Sequence, residues 1–257
     1  MNPLRSLARA ARASWRRLRF RLWALRLQAR LRRAGGRLEL HAPHGADFDS
    51  PPRLRTPAVG EGSGTLVLRI GRDVSLGHEV VLEVWARGSN ELVLGDGARI
   101  GDGVRLTLRS GRLRLGARID VRAYAVLKTE GDLSVGDDAM VGHFGVIHCA
   151  ERVEIGDRTT LAERTTIADS EHTPDPHHTY NAPVRRAPVT LGTNVFAGAG
   201  VVITSGSHVG ADAVLAAGAV LAGGDYPAGW VIAGVPARPL NPTESPASSS
   251  AAPPAGL

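Results

Sequence analysis

The chain has one cysteine, Cys149, and one lysine, Lys128, in 257 residues. A single cysteine excludes a disulfide framework. Cys149 has no cysteine motif around it and reads as a small core residue. Aromatic residues make up only 4%, too few for a core built on rings. No apolar run approaches the ~20 residues of a bilayer-spanning helix. Acidic residues are missing altogether from residues 1–38, which hold twelve arginines. The remainder carries nineteen basic and twenty-five acidic side chains, so the net +6 divides into a basic arm and a body of −6. A uniformly basic protein would point to nucleic acid. A basic arm on an acidic body does not, and no nucleic-acid partner is expected.

What the chain has is rhythm. A bulky aliphatic followed by glycine recurs at Ile70, Leu94, Leu115, Val135, Ile155, Leu191 and Val209. The offsets are 24, 21, 20, 20, 36 and 18 residues. Inside these units the period is six. Val135, Val141, Ile147 and Val153 follow it, and so do Ile155, Leu161 and Ile167. Leu191, Ala197, Ile203, Val209, Leu215 and Leu221 extend it without a slip. A helix would repeat near 3.6 and a half-buried strand near 2. A period of six suits a solenoid whose coils hold three short strands joined by tight turns. Each sixth side chain points inward and stacks on its equivalent in the next coil, so only a stack of coils is stable. About seven such coils are expected. The period specifies a parallel β-solenoid without specifying its hand.

The run "VTLGTNVFAGAGVVITSGSHVGADAVLAAGAVL" with the following "VIAGVPARPL" resembles the hexapeptide-repeat acyltransferases. The pattern is most similar to sugar and polysaccharide O-acetyltransferases of the maltose and galactoside acetyltransferase type. The likeness spans roughly Leu68 to Leu240 and is specific in its last third. It implies a mainly β fold, a left-handed parallel β-helix, and a homotrimer with sites shared between neighbours. It also implies acetyl-CoA as donor and a hydroxyl of a sugar, glycan or surface-polysaccharide precursor as acceptor, with no metal.

The step of 36 residues from Ile155 to Leu191 is twice a minimal coil. One coil's worth of chain therefore leaves the tube after Ile167, as an insertion at about 168–188. Excursions of this length are usually functional or disordered. This one carries Asp169, Glu171, His172, Asp175, His177, His178 and Tyr180. The resembling family places its catalytic base in such a loop, and His172 in "IADSEH" is the match. Acyl transfer to a hydroxyl needs a base for the hydroxyl proton, and an imidazole near pKa 6.5 serves at neutral pH. Asp169 and Glu171 are the nearest carboxylates to orient it, with Asp175 as a third. His148 is expected near the acceptor.

Small-residue rows, "FAGAG" and "LAAGAV", suit a thin pantetheine arm. The resemblance puts Ala199 and Ala217 against the cofactor and Arg238 on its phosphates. The sequence departs from the family at Phe196, where Trp is common, and at Ala219, where Ser is common. It departs again after Leu221, where "AGG" replaces Thr-Lys and removes one cation. Two alternatives stand beside this reading. His143 and His148 resemble part of the zinc site of γ-class carbonic anhydrases, although no histidine lies between His78 and His143 to complete it. The other alternative is a coil that has kept its shape without chemistry.

Residues 1–40 read as an Arg-rich helical arm. Leu18, Leu22, Leu25 and Ala29 form one stripe, and Phe20, Trp23, Leu27 and Leu31 form nearly the opposite one. Arginines interrupt any signal-peptide core. The expected location is therefore cytoplasmic, with residues 1–38 able either to lie on the inner membrane surface or to pack against the solenoid or its symmetry mates. Residues 41–66, rich in Pro and Gly, read as a linker. Residues 67–240 are the acyltransferase solenoid, and 241–257 a low-complexity, disordered tail.

Overall fold

The computed structural model describes residues 3–56, 64–85, 88–173 and 184–243. Among these, one helix, Pro3–Arg33, precedes a parallel β-solenoid. Its three sheets hold nine, ten and eight strands, and the chain visits them in turn. A typical coil is the fifth, with Asp132–Val135 in the first sheet, Met140–Val141 in the second and Val146–Cys149 in the third. Each strand pairs with its equivalent one coil away. Val126, Leu127, Lys128 and Thr129 lie beside Val146, Ile147, His148 and Cys149.

The period of six becomes the core. Leu127, Leu133, Ile147, Val153, Ile167 and Ile203 are all fully buried. The glycine after each aliphatic has a steric cause. Gly95, Gly116 and Gly136 stack at one corner, and a Cβ on Gly116 would lie 2.5 Å from the carbonyl carbon of Gly136. Only glycine allows the coils to close to strand spacing there, since a Cβ would collide with backbone. The acids beside these glycines satisfy the turn. Asp137 Oδ1 accepts from Ala117 N at 2.7 Å, and Asp157 Oδ1 from Asp137 N at 2.8 Å. Cys149 is buried as expected. Burial and the nearby Asp169 charge push its thiol up to about 12, which makes it inert.

Seven coils run from Thr65 to Leu221, the number expected, and one more lies before them. The stretch 41–66 is not a simple linker. Arg37–His41, Asp47–Phe48 and Arg53–Arg55 form a first coil that pairs with the second in all three sheets. Ala42, Phe48 and Leu54 already carry the period of six, hidden in the sequence by the prolines and glycines around them. The N-terminal helix crosses this open end. Phe20, Trp23, Leu27 and Leu31 are buried against it, Trp23 packs edge-on to Phe48, and Trp23 Nε1 donates to Pro52 O at 3.1 Å. At the other end an antiparallel pair, Trp230–Gly234 with Ala237–Pro242, closes the second sheet. The tail lies almost wholly outside the described residues.

Candidate active site

The insertion leaves the coil at the end of Thr166–Ala168 in the third sheet. It leaves as a hairpin. Ser170–His172 pairs antiparallel with Val184–Arg186, so that His172 faces Val184 and Glu171 faces Arg185. Residues Asp175, His177, His178 and Tyr180 lie outside the described residues. The His172 side chain is exposed at the outer end of this pair. Neighbouring residues of a strand point to opposite sides. Glu171 therefore turns away from His172, and its Oε1 lies 3.7 Å from Arg185 Nε.

Asp169 has a different task from the one its position in sequence suggests. It is fully buried. Its Oδ1 accepts from Ala150 N at 2.6 Å, and its Oδ2 from Glu151 N at 2.7 Å and Arg152 N at 2.8 Å. Three backbone N–H groups from the turn between the fifth and sixth coils thus converge on one carboxylate. Asp169 anchors the root of the hairpin rather than orienting the imidazole. Neither expected carboxylate is brought to His172.

His148 lies one coil before Ala168, on the outer face of the third sheet. Lys128 is its neighbour one coil earlier, and Thr107 precedes that. Lys128 Nζ pairs with Glu130 Oε1 at 3.1 Å, and Arg109 reaches the same carboxylate at 3.6 Å. The Arg109 guanidinium lies 4.2 Å over the Trp85 ring. Burial, with the charge of Lys128, depresses the His148 pKa against the pull of Glu130 and Asp169. Burial opposes ionisation of Glu130, but the hydrogen bond and charge of Lys128 hold its pKa below the ordinary value. Sequence reading found His148 and missed this cluster. The signal was present, since the chain's one lysine stands twenty residues, one coil, before His148. His143 lies at the corner between the second and third sheets. Among the described residues no group of three His, Cys, Asp or Glu is placed to hold a metal.

The small-residue rows gather at that same corner. The amide of Gly218 donates to Ala199 O at 2.9 Å, so Ala199 and Ala217 stack on successive coils. Gly200 and Gly218 follow them with φ of 71° and 72°. A Cβ on either would meet nothing within 4 Å. Bare backbone therefore faces open space, which fits a thin ligand laid along the corner. Arg238 is exposed on the closing pair, opposite Ala233, one coil beyond Ala217. Ala199 and Ala217 thus form one column, while the register carries Arg238 past Ala233 to the line of Ala216, the residue before Ala217. The root of the His172 hairpin stands at the opposite corner of the third sheet. The amide of Gly200 marks Glu163 as the residue one coil before Ala199. From Glu163 the chain crosses the whole third sheet, six residues and about 20 Å when extended, to Asp169 at the hairpin root.

Comparison with solved structures gives the fold. The polySia-specific acetyltransferase NeuO superimposes with a TM-score of 0.51 at 16% identity, over 84% of this chain and 87% of that one. This chain has the fold of NeuO. A maltose O-acetyltransferase from Clostridium difficile 630 is 24% identical, with a TM-score of 0.39, over 59% of this chain and 70% of that one. A variant of AntD, an N-acyltransferase from Bacillus cereus in complex with dTDP-4-amino-4,6-dideoxyglucose and coenzyme A, is 15% identical with a TM-score of 0.46, over 68% and 83%. No family model and no curated relative matches the chain.

Proposed function

We propose that this protein transfers an acyl group, most simply acetyl, from a coenzyme A thioester to a hydroxyl of a sugar, glycan or polysaccharide precursor. The observation that carries the reading is the exposed His172 on a hairpin rooted by a buried carboxylate, in a solenoid that also offers an open Ala–Gly column. NeuO, which shares the fold, is a polySia-specific acetyltransferase, and this supports a saccharide acceptor.

In this reaction the acceptor oxygen attacks the thioester carbonyl while His172 takes its proton. The tetrahedral intermediate collapses, the carbon–sulfur bond breaks, and the imidazolium returns the proton to the leaving thiolate. The products are an ester and free coenzyme A. Ala199 and Ala217 let the pantetheine arm approach the backbone, and Arg238 meets its phosphates. His148 faces the acceptor.

The column and the hairpin start from opposite corners of the third sheet, so one chain does not complete the site. This supports a homotrimer in which one protomer's hairpin meets its partner's column. Closed cyclic symmetry leaves no open contact. Tyr124 and Phe144 support the same arrangement. Their exposed rings stack at 5.3 Å on the corner between the second and third sheets. Their backbone has φ of 62° and 57°, a region that bulky residues enter at a cost of about 1–3 kcal/mol each. The turn itself imposes that φ, since Glu79 and Arg164 adopt it at the same corner, but the exposed ring stack offers an apolar contact between copies. We also propose a cytoplasmic location.

The test is consumption of acetyl-CoA across a panel of sugars and polysaccharide precursors. His172→Ala lowers kcat about a hundredfold or more, the scale of a general base, with unchanged melting temperature. Near-normal turnover in that variant would remove His172 from the mechanism. Absence of thioester consumption with every acceptor would favour the coil without chemistry.

A further inference from the structure

The N-terminal helix has two apolar stripes, and the solenoid uses one. Phe20, Trp23, Ala24, Leu27 and Leu31 are buried against the first coil. Trp15, Leu18, Leu22 and Leu25 follow the same 3–4 spacing on the opposite side and are 47–61% exposed. At 3.6 residues per turn, Arg19, Arg26 and Arg30 flank this outward stripe on one side and Arg21 and Arg32 on the other. The helix contains eleven arginines and no acid. Among the described residues no helix is long and apolar enough to cross a membrane.

The helix is firmly held. Arg19 donates to Asp49 O at 3.2 Å, Trp23 to Pro52 O at 3.1 Å, and Arg30 to Leu54 O. Together with its packing on Arg37–His41 and Asp47–Phe48, this ties it across the end of the tube. Its outward stripe therefore points away from the tube, along the solenoid axis.

We propose that this stripe docks the protein on an anionic lipid surface, with the tube standing away from the membrane. Apolar side chains flanked by guanidinium groups match the boundary between acyl chains and acidic headgroups. The charge division argues for the posture as well. The body outside residues 1–38 is net −6, and an anionic surface repels it, whereas the basic end is attracted. The hairpin of His172 leaves the sixth coil. Five coil steps of about 4.8 Å and a helix of about 10 Å put it roughly 35 Å from the lipid. Where the acyl-transfer reading holds, the enzyme then serves saccharide that extends well out from the membrane. Docking itself does not depend on that reading.

The experiment uses the full chain and sedimentation with vesicles of phosphatidylglycerol and phosphatidylcholine. Binding is expected at low salt, weakens with added salt, and is absent on phosphatidylcholine alone. Leu18→Glu with Leu22→Glu lowers binding about a hundredfold or more, the scale of withdrawing two leucines from an apolar medium. Arg21→Gln with Arg26→Gln lowers it roughly fivefold per arginine. Both pairs keep the parent melting temperature, because neither touches the buried face. Protein that stays in the supernatant at low salt overturns the proposal. So does a Leu18→Glu, Leu22→Glu variant that binds as well as its parent, or one whose only defect is a smaller assembly, which would make the stripe a contact between copies. Posture is read by energy transfer to a headgroup dye. Transfer is strong from a label on Arg33→Cys and weak from one on Val184→Cys, and Cys149 is too buried to take label. Equal transfer from the two sites overturns the standing posture.

Discussion

The corner between the second and third sheets can be compared with itself along the tube. At coils four and five it carries Tyr124 and Phe144; at coils seven and eight it carries Gly200 and Gly218. The backbone is the same, with φ of 62°, 57°, 71° and 72°. From the second coil to the eighth the turn takes a left-handed residue, Glu79, Gly103 and Arg164 included, without dictating which. Glycine adopts it without strain, yet two large rings occupy it where stacking is useful. The glycines are not forced by crowding, since a Cβ at either position would meet nothing within 4 Å. The exterior changes in the same direction. Coils three to five are laced with ion pairs such as Arg99–Asp120, Arg114–Glu91 and Arg118–Asp138. Coils seven and eight present Phe196, Ala199, Val202, Ala217 and Val220 instead. The middle coils carry charged pairs beside one exposed aromatic stack, whereas coils seven and eight carry small and aliphatic side chains at their surface.

The largest effect that sharpens this contrast belongs to Asp169, at the boundary between the two regions. Asp169→Ala leaves three buried or part-buried N–H groups without their acceptor. The expected loss is roughly 3–5 kcal/mol of folding stability, read as a lower denaturant midpoint. Asp169→Asn also loses stability, because its NH2 group cannot accept from the N–H groups it would face. If Asp169 instead orients His172, Asn would lower kcat while the midpoint stayed with the parent. That result would return Asp169 to the catalytic apparatus.

A smaller effect separates coils seven and eight from the laced ones. Arg238→Ala should raise KM for acetyl-CoA about tenfold, the scale of one charge-assisted contact to phosphate, with kcat within about twofold. Arg118→Ala on the laced face should change neither. Equal KM values for the two variants would deny the Ala–Gly column its role as a donor groove. In the acyl-transfer reading Arg238 is the cation proposed for the phosphates, since "AGG" follows Leu221 where the resembling acyltransferases carry Thr-Lys.

Much of this was legible in the sequence, for a physical reason. A coil repeats one environment, so the aliphatic at every sixth position and the glycine after it announce the tube directly. The first coil escaped because Ala42, Phe48 and Leu54 keep the period while prolines and glycines obscure it. The excursion after Ile167 was legible as extra length, with His172 near its start. The task of Asp169 was not. Its partners, Ala150 to Arg152, lie a coil away, and nearness in sequence favoured His172 instead. The cluster at His148 was readable only after the register was known, since Lys128 matters by being twenty residues earlier and not by any local motif.

The smallest effect concerns pH and that cluster. Burial and the charge of Lys128 lower the folded pKa of His148 below its unfolded value, near 6.5. Between the two values the unfolded chain binds the proton and the folded protein does not. The contribution of His148 should therefore be flat above about pH 7.5 and fall as pH drops through 6.5. The fall should level off once the folded imidazole is also protonated. Glu130 contributes in a separate and lower window. Its folded pKa is also depressed, so its contribution is present above the unfolded carboxylate value and is lost only as pH falls below it. A His148→Gln variant keeps a polar group at the site and removes the titration. Its denaturant midpoint should change less between pH 7.5 and 5.5 than the parent's, while the loss below pH 4.5 remains. An identical slope in both proteins over pH 7.5 to 5.5 would mean that His148 titrates as a solvated imidazole. The Lys128 row would then be ordinary surface, and the contrast between the laced coils and coils seven and eight would begin only at the hairpin.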